Sequence, residues 1–374
     1  MSTEAHDVVI IGGGIIGVSM AYFLSKEGVD VCVVEKKSIG IESSGRCAGG
    51  IGQSHRQAPD LPIAQFAVKM WKSISEEMDV DIEFRQHNNL RLAMNEEHAA
   101  SLLEMVARES AGGLDVRWLD RAETKARVPY VKEVYLGSVL SLTDGSAEPY
   151  VSCFALARAA RRFGAVIHQN RQVTGLQVID GKVQGVLTPQ GPIAAQHVVN
   201  AAGAWAASIG KMLGINIPAT NKRSHLLVTE RLPHFIDPFL STDIYGYFRQ
   251  TLSGNVLIGY PARPLVDPED RRVTYEAVDI GAKRTNTIIP RLRGVSLIRS
   301  FTGYTVWTPD LLPVVGPVKQ FKGLYIAAAF CGLGFAIGPG IGKLMAELVS
   351  TGKTSLNIDA YRLERFDNNR AENP

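Results

Sequence analysis

Residues Asp7–Lys36 read DVVIIGGGIIGVSMAYFLSKEGVDVCVVEK, the pattern of a strand, a glycine-rich turn, a helix and a second strand. The glycines have GxGxxG spacing: Gly12 permits a tight turn, Gly14 lets a pyrophosphate approach the backbone, and Gly17 lets helix and strand pack closely. The helix N-terminus offers free N–H groups to phosphates, and Glu35 after the second strand can accept hydrogen bonds from ribose hydroxyls. The stretch therefore predicts that the chain binds an adenine dinucleotide.

The length and composition are those of an ordinary globular enzyme of about two domains. The net charge of +3 is too small to indicate nucleic acid as a partner. The apolar run Val8–Leu24 is short for a membrane span and is interrupted by glycines, so we expect no integral membrane segment. The four cysteines lack CxxC spacing, which argues against a disulfide framework or a zinc site. We therefore expect no metal and a cytoplasmic location.

Nucleotide-binding and antiparallel patterns alternate along the rest of the chain. A strand pair is expected over Ile82–Met94, with a turn at Asn88 and Asn89. The last apolar strand, Leu324–Ala329, precedes a glycine-rich turn and a helix from about Pro339. The alternation predicts an α/β plus α+β chain, in which a Rossmann-like dinucleotide-binding domain is interleaved with an antiparallel-sheet substrate domain. The expected segments are 1–80, 145–215 and 300–374 for the first domain, and 81–144 and 216–299 for the second.

Six motifs follow one another over nearly the whole chain. They are GGGIIG from Gly12, ESSGRCAGGI from Glu42, DG…P over Asp144–Pro149, VVNAAGAW from Val198, RSFTGYTVWTPDLLPVVGP from Arg299 and AAAFCGLGFAIGPGIG from Ala327. In this order they resemble the FAD-dependent D-amino-acid oxidase superfamily, in its glycine oxidase and sarcosine oxidase branch. The second and fifth motifs are most similar to β subunits of heteromeric L-proline, D-hydroxyproline and opine dehydrogenases and of sarcosine oxidase.

The resemblance implies non-covalent FAD as the cofactor, with a flavin that accepts hydride from a carbon next to nitrogen. The ADP part would lie at Gly12, Gly14, Ile16, Gly17, Glu35 and Lys36, and adenine would meet the backbone of Val173. The residues Ser43, Ser44, Arg46, Gly49 and Gly50 would flank the pyrophosphate and flavin. Gly203 also belongs to the implied cofactor set, and Gly332, Leu333 and Gly334 would lie near the flavin pyrimidine ring, where a helix N-terminus favours negative charge.

Three departures from the family pattern bear on function. Thr302 stands where single-chain sarcosine oxidases have a flavin-linked cysteine, so a thioether bond at that position is excluded. Leu257 stands where those oxidases have a lysine that promotes reaction with oxygen, which favours a dehydrogenase. Gly52 and Gln53 stand where relatives often have an arginine, which favours a larger or differently shaped substrate.

Four residues are the candidates for binding the substrate or taking part in its oxidation. Arg249 can bind a carboxylate bidentately, and it alternates with Tyr245 and Tyr247 on one strand, so the three should face one way. A solvated sheet face is the alternative for these three residues. His225 and Tyr304 could line the site, although core packing explains a histidine or a tyrosine in a strand as well. The candidate catalytic set is therefore Tyr247, Arg249, Tyr304 and His225.

Two functions remain open from the sequence. The first is an FAD-dependent enzyme that oxidises the C–N bond of an amino acid or secondary amine, such as a proline-like compound, an opine or an N-methyl amino acid, to an imine. The second is an FAD-carrying β subunit of a heteromeric dehydrogenase, inactive without partner subunits. Neither the substrate nor the electron acceptor can be read from the residues.

Overall fold

Two eight-stranded sheets form the framework of the computed structural model, which describes residues 4–264 and 269–367, with 261–264 as backbone only. The helices are α1 (Ile15–Lys26), α2 (Asp60–Glu77), α3 (Glu96–Ala111), α4 (Arg121–Arg127), α5 (Pro149–Arg162), α6 (Ala206–Lys211), α7 (Tyr275–Ile288) and α8 (Gly334–Thr351). The strands are β1 (Glu4–Ile11), β2 (Val31–Val34), β3 (Gly50–Ile51), β4 (Asn89–Ala93), β5 (Val116–Leu119), β6 (Gly137–Ser141), β7 (Gly145–Ser146), β8 (Val166–His168), β9 (Gly175–Ile179), β10 (Lys182–Leu187), β11 (Ile193–Asn200), β12 (Thr220–Arg231), β13 (Phe239–Thr242), β14 (Gly246–Gln250), β15 (Asn255–Pro264), β16 (Leu297–Trp307), β17 (Val314–Pro317) and β18 (Leu324–Ala328). Single 3₁₀ turns occur at Gly203–Trp205, Pro290–Leu292, Asp359–Tyr361 and Leu363–Phe366.

The first sheet has the order β17-β18-β11-β1-β2-β8, and β10 and β9 extend from β11. The pairs β1–β2, β1–β11, β11–β18 and β2–β8 are parallel, so these strands end at one edge of the sheet. The strand β2 reads VCVV and is buried throughout, as expected of a parallel strand covered on both faces. On one face, α1 packs against α5 and α8. Ligands of open α/β sheets bind beyond the carboxyl ends of such strands.

The second sheet has the order β16-β12-β15-β14-β13-β4-β6-β5 and is antiparallel except for the β13–β4 pair. One face carries the apolar cluster that includes Leu90, Leu92 and Phe248, and α7 lies against this face. The opposite face carries Tyr247 and Leu257, which pack with Ala48 from the first domain's loop. The second sheet therefore presents one face to its own core and one to the first domain.

Segments of the two sheets alternate along the chain, which confirms the predicted interleaved fold class. The strand β16 crosses the expected junction at 300 and stays paired with β12 from Leu297 to Trp307, so the second sheet keeps this segment. The pairing continues because β16 is the edge strand of the second sheet. The chain returns to the first sheet only at β17.

The expected strand pair over Ile82–Met94 is only half present. Asn88 has a left-handed φ of 72°, so the chain does turn there, and Asn89–Ala93 is a strand. The preceding residues make one bridge, between Arg85 and Ser146, because β13 and β6 occupy both sides of β4. The sequence pattern does not predict β5, α4 and β6; β5 and β6 are the outer strands at one end of this sheet, and α4 packs against them.

The last helix begins at Gly334, five residues before the expected start at Pro339. Proline lacks the N–H that a helix needs in its interior, so the sequence favoured Pro339 as a first-turn residue. The structure accommodates it inside the helix, where the indole Nε1 of Trp71 donates to the neighbouring carbonyl of Ala336 at 2.8 Å. The earlier start places the helix N-terminus directly after the turn that follows β18.

Among the described helices, none combines the length and the apolarity that crossing a membrane requires.

Candidate active site

A cavity of about 580 Å³ lies where the carboxyl ends of β1, β2, β11 and β18 meet the second sheet. Its wall is built from the turns after these strands, the loop after β2, and the inward faces of β14 and β16. Most of the sequence-predicted site residues line it together, namely Gly12, Gly14, Ile16, Glu35, Lys36, Ser43, Ser44, Arg46, Val173, Gly203, Tyr247, Tyr304, Gly332, Leu333 and Gly334.

One end of the cavity is formed by the turn after β1 and by Glu35. Gly12 has a φ of +113°, and a Cβ there would lie 2.5 Å from the carbonyl oxygen of Ala201. The two carboxylate oxygens of Glu35 accept hydrogen bonds from the backbone N–H groups of Gly13 at 2.8 Å and Lys37 at 2.7 Å. These bonds fix an acidic group at the end of β2, beside the glycine turn.

The N-terminus of α1 faces the cavity next to Ser44. Gly14 is the N-cap residue and supplies no side chain, and the N–H of Ile15 donates to the hydroxyl of Ser44 at 2.9 Å. The loop that carries Ser44 is held to the glycine turn by a bond from the N–H of Gly40 to the carbonyl of Gly13 at 2.9 Å. A helix N-terminus lined by small residues is a site for an anion such as a pyrophosphate.

Lys36 lies in a cluster that joins the two domains. Its ammonium group is 2.8 Å from a carboxylate oxygen of Glu269 and 3.4 Å from the ring centroid of Trp205. The indole Nε1 of Trp205 donates to the same Glu269 oxygen at 2.9 Å. Next to this cluster, Arg271 forms an ion pair with Glu42 of the loop after β2.

Arg46 ties the loop after β2 to the second sheet. Its Nε donates to the carbonyl of Ile41 at 2.7 Å, and its Nη1 donates to the carbonyl of Thr302 at 3.1 Å. Burial lowers the pKa of this guanidinium, and the nearby Glu42 carboxylate opposes that shift. The side chain thus bridges the cofactor-side loop and β16 at the cavity wall.

The other end of the cavity is a strained turn between β18 and α8. Ala329 and Cys331 have positive φ values of 57° and 50°, and Gly332 has one of 85°. Such backbone is costly for residues other than glycine and accumulates at functional sites. The N–H of Cys331 donates to the carbonyl of Val306 at 2.9 Å, which holds the turn against β16, and α8 starts at Gly334.

These features fit a dinucleotide. Two helix N-termini, those of α1 and α8, open into one elongated cavity, and the glycine turn leaves no room for a side chain where a pyrophosphate would approach. The acidic group needed for a ribose lies at the end of β2. The residues present therefore suit FAD, the cofactor that the motifs imply.

Five predicted site residues lie off the cavity wall. A Cβ at Gly17 would overlap the carbonyl oxygen of Gly12, so Gly17 provides close packing, as the sequence indicated. Gly49 and Gly50 lie at the β3–β7 ladder, where the N–H of Ala147 donates to the carbonyl of Gly49 at 3.0 Å. The remaining two are Arg249 and His225.

Arg249 is directed to backbone carbonyls. It is only 3% exposed, and its Nη1 donates to the carbonyls of Ala48 at 2.6 Å and Ala147 at 3.0 Å, while Nη2 lies 3.7 Å from Glu148. Burial lowers the pKa of this guanidinium. The expectation that Tyr245, Tyr247 and Arg249 share one face is wrong for Tyr245, which packs with the cluster on the opposite face of the sheet. Arg249 and Tyr247 both approach Ala48.

The other aromatic candidates are placed differently from one another. His225 is buried in β12, and its ring stacks on Tyr260 with centroids 5.4 Å apart; Tyr260 lines the cavity and His225 does not. Tyr304 lines the cavity, and its hydroxyl donates to the carbonyl of Asp270 at 2.8 Å. Tyr247 lies over Gly259, where any Cβ would overlap its ring. Burial raises the pKa of Tyr247, so its phenol stays neutral.

The sequence reasoning missed Arg91, Trp205 and Glu269. Arg91 lines the cavity from β4 and is bonded to Asp243 at 2.7 Å. The alternation of polar and apolar residues in NLRLA could have indicated that Arg91 faces away from the core of its sheet. Trp205 belonged to a quoted motif, but nothing in the sequence pairs it with Lys36 or Glu269, which are distant along the chain.

A cluster of Glu4, Cys32 and His168 lies outside the cavity, with ligand-type atoms within 4.8 Å of one another. Burial would raise the pKa of Glu4, but hydrogen bonds from His168 and Arg171 outweigh it and hold the pKa at about 2. Burial raises the pKa of the Cys32 thiol to about 12. A protonated thiol and a carboxylate bonded to arginine make poor metal ligands.

Comparison with known proteins gives one family for nearly the whole chain. The family model described as FAD dependent oxidoreductase (DAO) matches residues 7–348. The solved structure of L-proline dehydrogenase from P. horikoshii superimposes with a TM-score of 0.93 at 31% identity, covering 98% of this chain and 99% of that one.

Curated relatives of known activity are also similar. Glycine oxidase of Bacillus subtilis is 26% identical over 96% of this chain and 97% of its own length. Sarcosine oxidase subunit β of Rhodobacter capsulatus is 25% identical over 97% of this chain and 89% of its own length. Mitochondrial dimethylglycine dehydrogenase of Mus musculus is 27% identical over 95% of this chain, and this chain spans only 43% of that relative.

Proposed function

Because this chain belongs to the DAO family of FAD-dependent oxidoreductases, we propose that it oxidises the C–N bond of an amino acid or a secondary amine. The similar proteins named above act on glycine, sarcosine, dimethylglycine or L-proline, all of which carry nitrogen next to the oxidised carbon. The observation that carries the proposal is the single cavity that joins the glycine turn after β1 to the strained turn before α8 and to the inward face of the second sheet.

The ADP part of FAD is assigned to the end of the cavity near β1 and β2. Gly12 and Gly14 leave space for the pyrophosphate, and Glu35, fixed by two backbone N–H groups, is directed to the ribose. The remaining contacts are assigned to the cavity-lining residues Ile16, Lys36, Ser43, Ser44, Arg46, Val173 and Gly203. We propose that the cofactor is held without a covalent bond, because Thr302 offers no thiol and its hydroxyl donates to the carbonyl of Arg271 at 3.1 Å.

The reactive end is assigned to the turn before α8. Bound FAD supplies the hydride acceptor there. The N-terminus of α8, at Leu333 and Gly334, favours the negative charge that accompanies reduction. The aromatic residues Tyr247 and Tyr304 line the cavity, where they would exclude water and restrict how an amine can lie, so that its carbon–hydrogen bond is presented in one orientation. Loss of hydride from the carbon next to a neutral nitrogen gives an iminium ion, which becomes an imine when the nitrogen releases its proton to water, and water can hydrolyse it after release.

The proposal is tested by anaerobic flavin reduction. The purified protein should carry FAD released by denaturation, and its absorbance should bleach with at least one compound among D- and L-amino acids, prolines, opines and sarcosine. Replacing Glu35 by Ala should reduce FAD content and bleaching together, while the exposed control Glu104→Ala should behave as wild type. Flavin-loaded protein that no amine bleaches would refute amine oxidation while leaving the cofactor assignment intact.

A second candidate is a β subunit that works only with partners. The similarity to sarcosine oxidase subunit β, which covers 97% of this chain, favours it, as does Leu257 in place of a lysine. In this case the isolated chain would hold FAD but reduce dyes slowly, and co-expression with products of neighbouring genes would increase the rate. Full dye reduction by the isolated chain would exclude the dependence on partners.

We also propose a reducing compartment, the cytoplasm, as its place of work, because the thiols of Cys32, Cys47, Cys153 and Cys331 are all free. Comparing activity of enzyme isolated with and without thiol reductant tests this proposal, and disulfide bonds in the native enzyme would count against it.

A further inference from the structure

Arg91 occupies the cavity face of the second sheet. Its neighbours Leu90 and Leu92 are fully buried in the core cluster on the other face, and side chains alternate along a strand, so Arg91 faces the opposite way. It lines the cavity together with Thr242, Gly246 and Tyr247. The position is on the substrate-side wall, apart from the glycine turn and Glu35.

The guanidinium of Arg91 is held in one orientation by a hydrogen bond, but most of its N–H donors are not used. Its Nη1 donates to one carboxylate oxygen of Asp243 at 2.7 Å, and the other oxygen of Asp243 lies 2.8 Å from Nε2 of His98. Within the part of the chain that the structure describes, this is the one hydrogen bond made by the side chain of Arg91, although a guanidinium has five N–H donors. The side chain is 21% exposed, so the free edge remains accessible to a ligand.

The other cations near the cavity already have protein groups as partners. Arg46 donates to two backbone carbonyls, and Lys36 is paired with Glu269 at the nucleotide end. Arg249 donates to two carbonyls behind the wall. Among the cavity-lining residues that the structure describes, Arg91 is thus the arginine with the most N–H donors left for a substrate.

The charge of Arg91 is felt by the side chain beside it. The Arg91 guanidinium, followed by burial, lowers the pKa of His55 to about 3, so His55 stays neutral near neutral pH. A neutral imidazole is not a second cation that could compete for a carboxylate, and Asp243 is engaged on both oxygens. An incoming carboxylate therefore has a cation to pair with on a partly desolvated wall, where charge-assisted bonds are strong.

We propose that Arg91, held by Asp243, binds the carboxylate of the substrate and makes the enzyme selective for amino acids and N-alkyl amino acids over amines without an acidic group. This assignment rests on the proposed amine oxidation. Arg91 acts on the substrate directly, whereas Asp243 and His98 are positioning residues. A bidentate pair would use the edge of the guanidinium that Asp243 leaves free.

The test compares three variants by anaerobic stopped-flow reduction with the best substrate of the amine screen. Replacing Arg91 by Met should raise the substrate Kd about 10- to 100-fold, because charge-assisted bonds are lost, and should change the limiting reduction rate much less. Arg91→Lys keeps the charge without the fork and should recover part of the affinity. The control is Arg299→Met, which removes a guanidinium that lies over Phe301 on the edge strand β16.

A second readout does not depend on turnover. Tetrahydro-2-furoate, a carboxylate without nitrogen, is titrated into wild type and Arg91→Met while the flavin absorbance is followed, with its carboxamide as the uncharged probe. Wild type should bind the carboxylate more tightly than the carboxamide, and the preference should vanish in the variant while FAD content stays unchanged. Equal carboxylate binding by wild type and Arg91→Met, or no carboxylate preference in wild type, would overturn the assignment. Failure of every amine to reduce wild-type flavin would instead refute the proposed function.

Discussion

At the scale of single residues, two arginines differ in how far the folded protein engages their guanidinium groups. Arg249 and Tyr247 alternate correctly on β14, and the sequence could predict that they share a face. It could not predict that the carbonyls of Ala48 and Ala147, more than a hundred residues away along the chain, would reach the guanidinium first. Arg91 drew no attention because its strand neighbours are ordinary apolar residues, and its partner Asp243 is equally distant in sequence.

Arg249→Met should therefore act on stability. The change leaves two buried carbonyls without a donor, and each unsatisfied group costs about 1–3 kcal/mol. We expect the free energy of unfolding in urea to fall by about 2–5 kcal/mol. Arg299→Met serves as the control and should change it by less than about 0.5 kcal/mol. A variant as stable as wild type but with weakened substrate binding would return Arg249 to the role of carboxylate anchor.

At the scale of elements, close packing of α1 against α8 sets the distance between the two ends of the cofactor site. A Cβ at Gly338 would lie 2.8 Å from Cγ1 of Ile15, and one at Gly342 would overlap the side chain of Ser19. Both helices begin at the cavity, α1 after Gly14 and α8 after Leu333. The seam of small residues therefore holds two helix N-termini at a fixed spacing.

Gly342→Ala should disturb this spacing. The added methyl group has no room against α1, and overpacking in a core costs about 1–3 kcal/mol. We expect a lower free energy of unfolding by about that amount, and weaker FAD binding measured by fluorescence titration of the apoprotein. The exposed Ser350→Ala in the same helix is the matched control. Unchanged FAD affinity in a destabilised Gly342→Ala protein would show that the packing of α1 against α8 does not affect FAD binding.

The sequence predicted the βαβ unit, with β1 beginning earlier than expected, at Glu4, and it mistook the start of α8. In the first case the local signals agree: alternating glycines, a buried parallel strand and an acidic residue at its end. In the second case Pro339 is a strong local signal for a helix start, but the folded protein begins the helix earlier. The chain turns at Gly332, which has a positive φ, and Trp71 donates a hydrogen bond to the first part of α8. Local sequence patterns therefore predict the elements that local interactions determine, whereas β5 and β6 depend on strand pairing within the second sheet.

At the scale of the whole molecule, the segment just before α7 fastens the second domain onto the cofactor side of the first. Glu269 binds Lys36 at 2.8 Å and Trp205 at 2.9 Å, and the backbone carbonyl of Asp270 accepts from Tyr304. Arg271 adds the ion pair with Glu42. The contacts of Glu269 and Arg271 cross from one sheet system to the other at the nucleotide end of the cavity, whereas Tyr304 belongs to β16 of the second sheet.

Glu269→Gln should weaken the contact between the segment before α7 and the nucleotide end of the cavity, with little effect on the fold. The Lys36–Glu269 pair is partly exposed, and such pairs contribute about 0.2–1 kcal/mol. We expect FAD to dissociate about 2- to 5-fold faster, followed by the fluorescence of released flavin after dilution. The control Asp279→Asn breaks an exposed pair with Lys283 within α7 and should leave the rate unchanged. Equal release rates in both variants would show that the contacts do not retain the cofactor.

The strand order of the first sheet has a consequence for biosynthesis. The strand β1 can pair with β2 soon after both are synthesised, but its other neighbour is β11, far later along the chain, and β11 in turn pairs with β18, which ends at Ala328. The nascent chain therefore exposes an unpaired edge of β1 until β11 has been made. The cavity also needs the turn after β18, so flavin can load only after that turn has been synthesised, and riboflavin starvation should leave an aggregation-prone chain in which all the strands are already present.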